Sequence, residues 1–199
     1  IFDGSMYLTN HPPLINAQGE LAFLARIERA NVCDADPYRP IAGALFGPDG
    51  SGGITLAAIS EQQAPGESPG AAIFPTLLVE LNDAGEVAFS AELRLGPSGP
   101  TVPAVYRWDA VHGLRPVARK FAPAPGGGSF VGPAEWALRL GEGGHVVFDD
   151  FEAFVASPFG GIYAHDEAAG LRAIVRRGDV LPGAPAGFVV RDGGSFAVN

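Results

Sequence analysis

The feature that most constrains this chain is that it repeats itself. Asn16-Ala-Gln-Gly19-Glu20-Leu-Ala22-Phe23 returns as Asn82-Asp-Ala-Gly85-Glu86-Val-Ala88-Phe89, and in altered form as Gly141-Glu-Gly-Gly144-His145-Val-Val147-Phe148. The steps between these starts are 66 and 59 residues, and Asn199 falls 58 past Gly141, where a fourth copy would open. A period of this length implies stacked units of similar structure.

A second landmark keeps the same period. Asp49 to Gly53-Ile54, Asp109 to Gly113-Leu114 and Asp166 to Gly170-Leu171 each read Asp, three variable residues, Gly, aliphatic. Pro65-Gly66, Pro125-Gly126 and Pro182-Gly183 follow, with the glycine twelve residues after that aliphatic position every time. The chain therefore divides into a leading strand (1–15) and three repeats (16–81, 82–140 and 141–198) within one domain.

Alternation identifies the repeat as β. Val87, Phe89, Ala91 and Leu93 share one face of an extended strand, and Glu86, Ala88, Ser90, Glu92 and Arg94 share the other. Leu21, Phe23, Ala25 and Ile27 repeat the first face. A helix over Glu20 to Asp36 is the rival, because that stretch lacks Gly and Pro, but its counterpart is cut short by Gly96-Pro97. Asn-x-x-Gly suits a sharp reversal, since Asn bonds its own chain and Gly takes positive φ without steric cost. Asp-x-x-x-Gly reads as a hairpin loop ending in Gly.

Ala22, Ala88 and Val147 lie opposite the phenylalanines, so this strand is expected to be covered on both sides, as in sheets stacked radially. The predicted fold is an all-β, propeller-like array of about 60-residue, roughly four-stranded repeats. Three repeats and a leading strand are few for closure. A piece of a longer repeat protein, which we favour, competes with a threefold closed fold and with an open stack completed by another chain.

The 28 Gly and 18 Pro are turn material between short strands, since 47% of residues are apolar and a disordered chain would not be. A net charge of −9 opposes nucleic acid as a partner. No run approaches a membrane span and none reads as a signal peptide. The first residues are Ile1-Phe2-Asp3 rather than Met, so a preceding segment is expected. Cys33 is the single cysteine, which excludes an internal disulfide.

These landmarks resemble the tandem NxxGxxAF-repeat proteins of bacteria, the "choice-of-anchor" group, whose units are followed by varied surface anchors. The resemblance rests on Asn16, Gly19, Ala22 and Phe23, on Asn82, Gly85, Ala88 and Phe89, and on stretches such as Val117-Ala118-Arg119 to Gly126. It covers nearly all of the chain from residue 16. The third copy departs, with Gly141 for Asn and Val147 for Ala, which allows a different turn there. The resemblance implies an exported, extracellular or surface-displayed propeller-type protein and brings no catalytic residues.

Departures from the repeat are the candidates for special roles. Asp150 falls where Ala25 and Ala91 stand, and Glu152 where Ile27 and Leu93 stand. A β-bulge after Phe148 that turns the acids outward is the favoured explanation, and Asp149, Asp150 and Glu152 as oxygen ligands for Ca²⁺ are the alternative. No other cofactor is expected. Asp34 and Asp36, beside Asn31 and Cys33, read as a solvated loop, and Asp49, Asp109 and Asp166 as turn residues. His11, His112, His145 and His165 show neither metal spacing nor a nucleophile partner. Arg177-Gly178-Asp179 belongs to the repeat's own turn. Tyr106 and Tyr163 stand where Phe46 does and are read as packing residues, with Trp108 and Trp136 as further aromatics and Trp136 the one without a counterpart.

The sequence thus points to a non-enzymatic extracellular or cell-surface module. It would engage other protein chains through sheet edges or blade faces. The alternative is a glycan-binding protein or hydrolase using rim loops, for which the insertion from about Glu28 to Ala42 is the obvious place.

Overall fold

Each Asn-x-x-Gly segment closes a hairpin with the same backbone bonds. The amides of Asn16, Asn82 and Gly141 donate to the carbonyls of Glu20, Glu86 and His145, and the amides of Gly19, Gly85 and Gly144 donate to the carbonyls of residues 16, 82 and 141. The three glycines lie at φ 79, 75 and 74, in the left-handed region where a Cβ is costly. The third copy therefore keeps the turn despite losing Asn. It lacks only the side-chain bonds, in which Asn16 Oδ1 accepts from Glu20 N at 2.8 Å and Asn82 Oδ1 from Glu86 N at 2.9 Å.

The computed structural model describes residues 6–8, 12–27, 42–150, 160–180, 182–183 and 189–190. These form fourteen strands in three antiparallel sheets. The first sheet holds β1 (Met6–Leu8), β2 (Leu14–Ile15), β3 (Leu21–Ile27), β4 (Ala42–Pro48) and β5 (Ile54–Ile59). The second holds β6 (Gln62–Gln63), β7 (Ala72–Leu81), β8 (Val87–Arg94), β9 (Thr101–Asp109) and β10 (Gly113–Arg119). The third holds β11 (Pro133–Leu140), β12 (Val146–Asp150), β13 (Gly161–Asp166) and β14 (Gly170–Arg176). No helix occurs among the described residues, and residues 21–27 of the rival helical stretch are strand. No helix long and apolar enough to cross a membrane is found among those residues.

The sheets are out of phase with the sequence repeats, because each takes in strand from before its Asn-x-x-Gly turn or the equivalent turn at Gly141. β7 ends the first repeat but pairs with β8, and β11 ends the second but pairs with β12. β1, from the leading segment, pairs with β3 in the same way.

Registers coincide across the sheets. Phe23 opposes Phe46, Phe89 opposes Tyr106 and Phe148 opposes Tyr163. Each pair of rings is stacked, with centroids 5.1, 5.9 and 6.0 Å apart. Each sheet also carries a bulge one strand further on, where Ala57, Val117 and Ile174 are the extra residues.

The second sheet lies between the other two, with one face of β8 buried against the first sheet and Ala88 of its other face buried against the third. Val87, Phe89, Ala91 and Leu93 pack with Ala22, Leu24, Leu45 and Ala57 of the first sheet. Ala88, from the opposite face, packs with Val146, Phe148 and Tyr163 of the third. We call the phenylalanine-bearing face of each sheet its front and the other its back. Fronts pack on the back of the preceding sheet. Phe89 and Phe148 are fully buried, and burial of such a ring contributes about 1.5–3 kcal/mol.

Candidate functional site

Asp149 and Asp150, the sharpest candidates in the sequence, are both buried. The bulge expected after Phe148 is not in β12, which runs in unbroken register from Val146 opposite His165 to Asp150 opposite Gly161. The irregularity lies instead in the neighbouring strand, between Pro133 and Leu138 of β11. The Ala137 amide within it goes to Asp149, and the amides of Val131 and Gly132, just before β11, go to Asp150. Asp150 Oδ1 accepts from Val131 N at 2.9 Å and Gly132 N at 2.7 Å, and Asp149 Oδ1 accepts from Ala137 N at 3.0 Å.

The second sheet uses the same device in neutral form. β7 shifts register between Pro75 and Val79, and Ser90 Oγ accepts from Leu78 N at 3.1 Å. The acids in the third sheet therefore replace a serine and an alanine in an irregularity that both sheets share.

Adjacent strand residues point to opposite faces, and Asp150 is held by amides just before β11 while Asp149 is held by one within it, so the fold does not aim them at one ion. Glu152 lies outside the described residues, as do His11, Asn31, Cys33, Asp34 and Asp36. Among the described residues no three His, Cys, Asp or Glu side chains gather as a metal-binding group. Burial raises the Asp150 carboxyl to about 6 against the pull of the two amides, and the charge of Asp149 adds to the rise.

The other departures converge on the seam between the second and third sheets. Arg107 stands where the first sheet has Gly47 and the third Ala164, and it is almost wholly buried. Its guanidinium meets Glu86 at 2.7 Å and Glu167 at 2.9 Å. Arg115 pairs with Glu167 and with Asp109. Burial raises Asp109, but the amides of His112 and Val111 and the charge of Arg115 outweigh it and leave the carboxyl below its usual range. His165 is pushed down by burial and by Arg107. A cation braced by two acids from different sheets ties those sheets together, and sequence reasoning did not single it out. The available signal was a large charge at a position where the other copies are small.

A second set of bonds links equivalent turns. Asn16 Nδ2 donates to the carbonyl of Asn82 at 3.0 Å, and Asn82 Nδ2 to that of Gly141 at 3.1 Å. Beside them Asp83 Oδ1 accepts from Ala17 N and Glu142 Oε2 from Asp83 N, both at 2.8 Å. Arg139 of the third sheet reaches Glu80 of the second at 2.7 Å. The repeat's asparagine therefore does two jobs, capping its own turn and bonding to the next.

The remaining candidates fall into turns or core. Asp49 Oδ1 accepts from Ser51 N and Gly53 N, Asp109 Oδ1 from Val111 N and His112 N, and Asp166 Oδ1 from Ala169 N. Asp179 Oδ2 accepts from Arg176 N at 2.7 Å, within the turn that holds Gly178 at φ 91. His112 Nδ1 lies 3.0 Å from Asp109, and His145 Nδ1 lies 3.7 Å from Asp166. Tyr106, Trp108 and Tyr163 are buried. An ideal Cβ on Gly47 would lie 2.7 Å from the Trp108 ring, so the glycine is what admits the indole. Trp136 sits in β11.

A family model described as a family of unknown function, DUF7453, matches residues 4–199. No curated protein and no solved structure matches the chain.

Proposed function

The chain belongs to DUF7453, a family of unknown function, and on that footing we propose that it is a non-enzymatic structural and interaction module of the bacterial cell surface or extracellular space, its sheets set around an axis like propeller blades. The observation that carries this reading is where the polar residues are spent. The recurring Asn and Asp residues hold turns and bond to the next turn, while the departures Arg107, Glu167 and Arg139 brace sheet to sheet. A rigid stack of faces and loops suits the binding of other chains. The surface location rests on the resemblance to anchored NxxGxxAF-repeat proteins alone.

The test uses the full chain on a panel of chromogenic ester, phosphoester, peptide and glycoside substrates, together with a glycan array. The expected result is neither turnover nor glycan binding. Turnover that survives repurification and is lost on substituting His112 or His145 would replace this reading with a hydrolase. Saturable binding of one glycan class would replace it with a lectin.

A further inference from the structure

The front of the first sheet exposes apolar side chains that the other two sheets bury. Ile15 is 69% exposed and Ile54 49%, with Leu21, Phe23 and Phe46 only partly covered beside them. Register assigns each a counterpart in the second sheet, respectively Leu81, Leu114, Val87, Phe89 and Tyr106. All five counterparts lie in, or pack on, the core shared with the first sheet. Their third-sheet equivalents Leu140, Leu171, Val146, Phe148 and Tyr163 do the same in the core shared with the second.

The opposite end of the stack shows the complementary deficit. Ile174, the bulge residue of the third sheet's back, is 52% exposed, whereas its equivalents Ala57 and Val117 are 5% and 9% exposed. Ala57 and Val117 both lie beneath the front of the following sheet.

We propose that the front of the first sheet docks on the back of the third sheet of a second copy of this chain, and that two chains close a ring of six sheets. The contact extends the rule that already joins the sheets within the chain, where every front packs on the preceding back. Front and back are different surfaces, so the contact is head to tail and must either close or grow. Six sheets lie within the four to eight at which radial sheet arrays close. Closure at two chains rests on the propeller-like reading above. The new contact lacks one element of the internal ones, because Gly141 has no side-chain amide to offer the carbonyl of Asn16. Each copy carries a charge of −9, so added salt tightens the contact.

Sedimentation of the full chain over a wide concentration range tests this. The expected species has twice the 20.5 kDa of one chain and does not grow further. Ile15→Arg and Ile174→Arg change exposed side chains, so at concentrations low enough for all three chains to be monomeric each variant keeps the wild-type melting curve, while its self-association weakens at least tenfold. Mixed one to one, the two variants recover a two-chain species, because one intact front meets one intact back. A monomer at every concentration overturns the proposal and leaves the front to another occupant. Growth beyond two chains, or a dimer that survives both substitutions, overturns it as well. A monomer leaves the scaffold reading standing, and turnover in the substrate panel would strike that reading without touching this contact.

Discussion

Between the first and second sheets the Trp108 indole lies against Gly47, while at the same register between the second and third His165 faces the charge of Arg107. Ala91 in the one interface is replaced by Asp150 in the other. One backbone plan thus carries an apolar core on both sides of the second sheet and adds buried charge to it only on the side of the third. An apolar interface gains from area and close approach. A charged one has to offset desolvation with pairing, and it fixes which groups meet rather than adding much stability.

The largest expected effect tests the apolar side. Trp108→Ala should cost about 3–5 kcal/mol in denaturant unfolding because it opens a cavity against Gly47, and His165→Ala should cost less than half of that. Equal losses would erase the distinction between the interfaces.

Next comes Arg107→Ala, which strands Glu86 and frees Glu167. Removing one partner of a buried pair costs about 3 kcal/mol. Arg107→Met should recover most of this, since it removes the charge without leaving a void. If methionine were as damaging as alanine, the charges would be contributing more than registry.

A pH scan separates the interfaces further. The folded pKa of Asp150, about 6, lies above its ordinary 3.8, so its contribution is fully present below 3.8 and is lost as pH rises through 6. Between pH 4 and 7 the wild type should lose about 2 kcal/mol relative to Asp150→Asn. His165, held below 6.5, acts oppositely: stability falls as pH drops through 6.5. The comparison is therefore made in a His165→Gln background. A flat difference between the two chains would mean that Asp150 is not held in a dry site.

The smallest effect is on the turns. Asn82→Ala removes the bond to Gly141 and the cap on Glu86, and should lower stability by about 1–2 kcal/mol, as for a buried hydrogen bond. Asn16→Ala, at a more exposed turn, should cost less.

Much of this was legible in the sequence because it is local or periodic. Spacing located the turns, and alternation placed Val87 and Phe89 opposite Ala88. Standing in for Phe46 identified Tyr106 and Tyr163 as packing residues. What sequence reasoning missed lies across strands or sheets. Spacing predicts a bulge in β12 because Asp150 belongs to β12, but the amides that hold it are those of Val131 and Gly132 leading into β11, and no spacing within one strand reveals its neighbour's irregularity. The pairing of Arg107 with Glu167 and the reach of Asn82 to Gly141 depend on how one sheet is seated on another. The offset between repeat and sheet is hidden for the same reason, since a period does not say which neighbour a boundary strand joins.

The central claim is that equivalent sheets seat front on back in one register, and a double-mutant cycle on Gly47 and Trp108 measures it most directly. Gly47→Ala should destabilise the wild type, because its methyl meets the indole, yet be neutral or stabilising in Trp108→Ala, where it fills space. The account predicts a coupling of about 1–3 kcal/mol. Additive effects, with the methyl equally costly in both backgrounds, would mean that these two sheets do not meet as described.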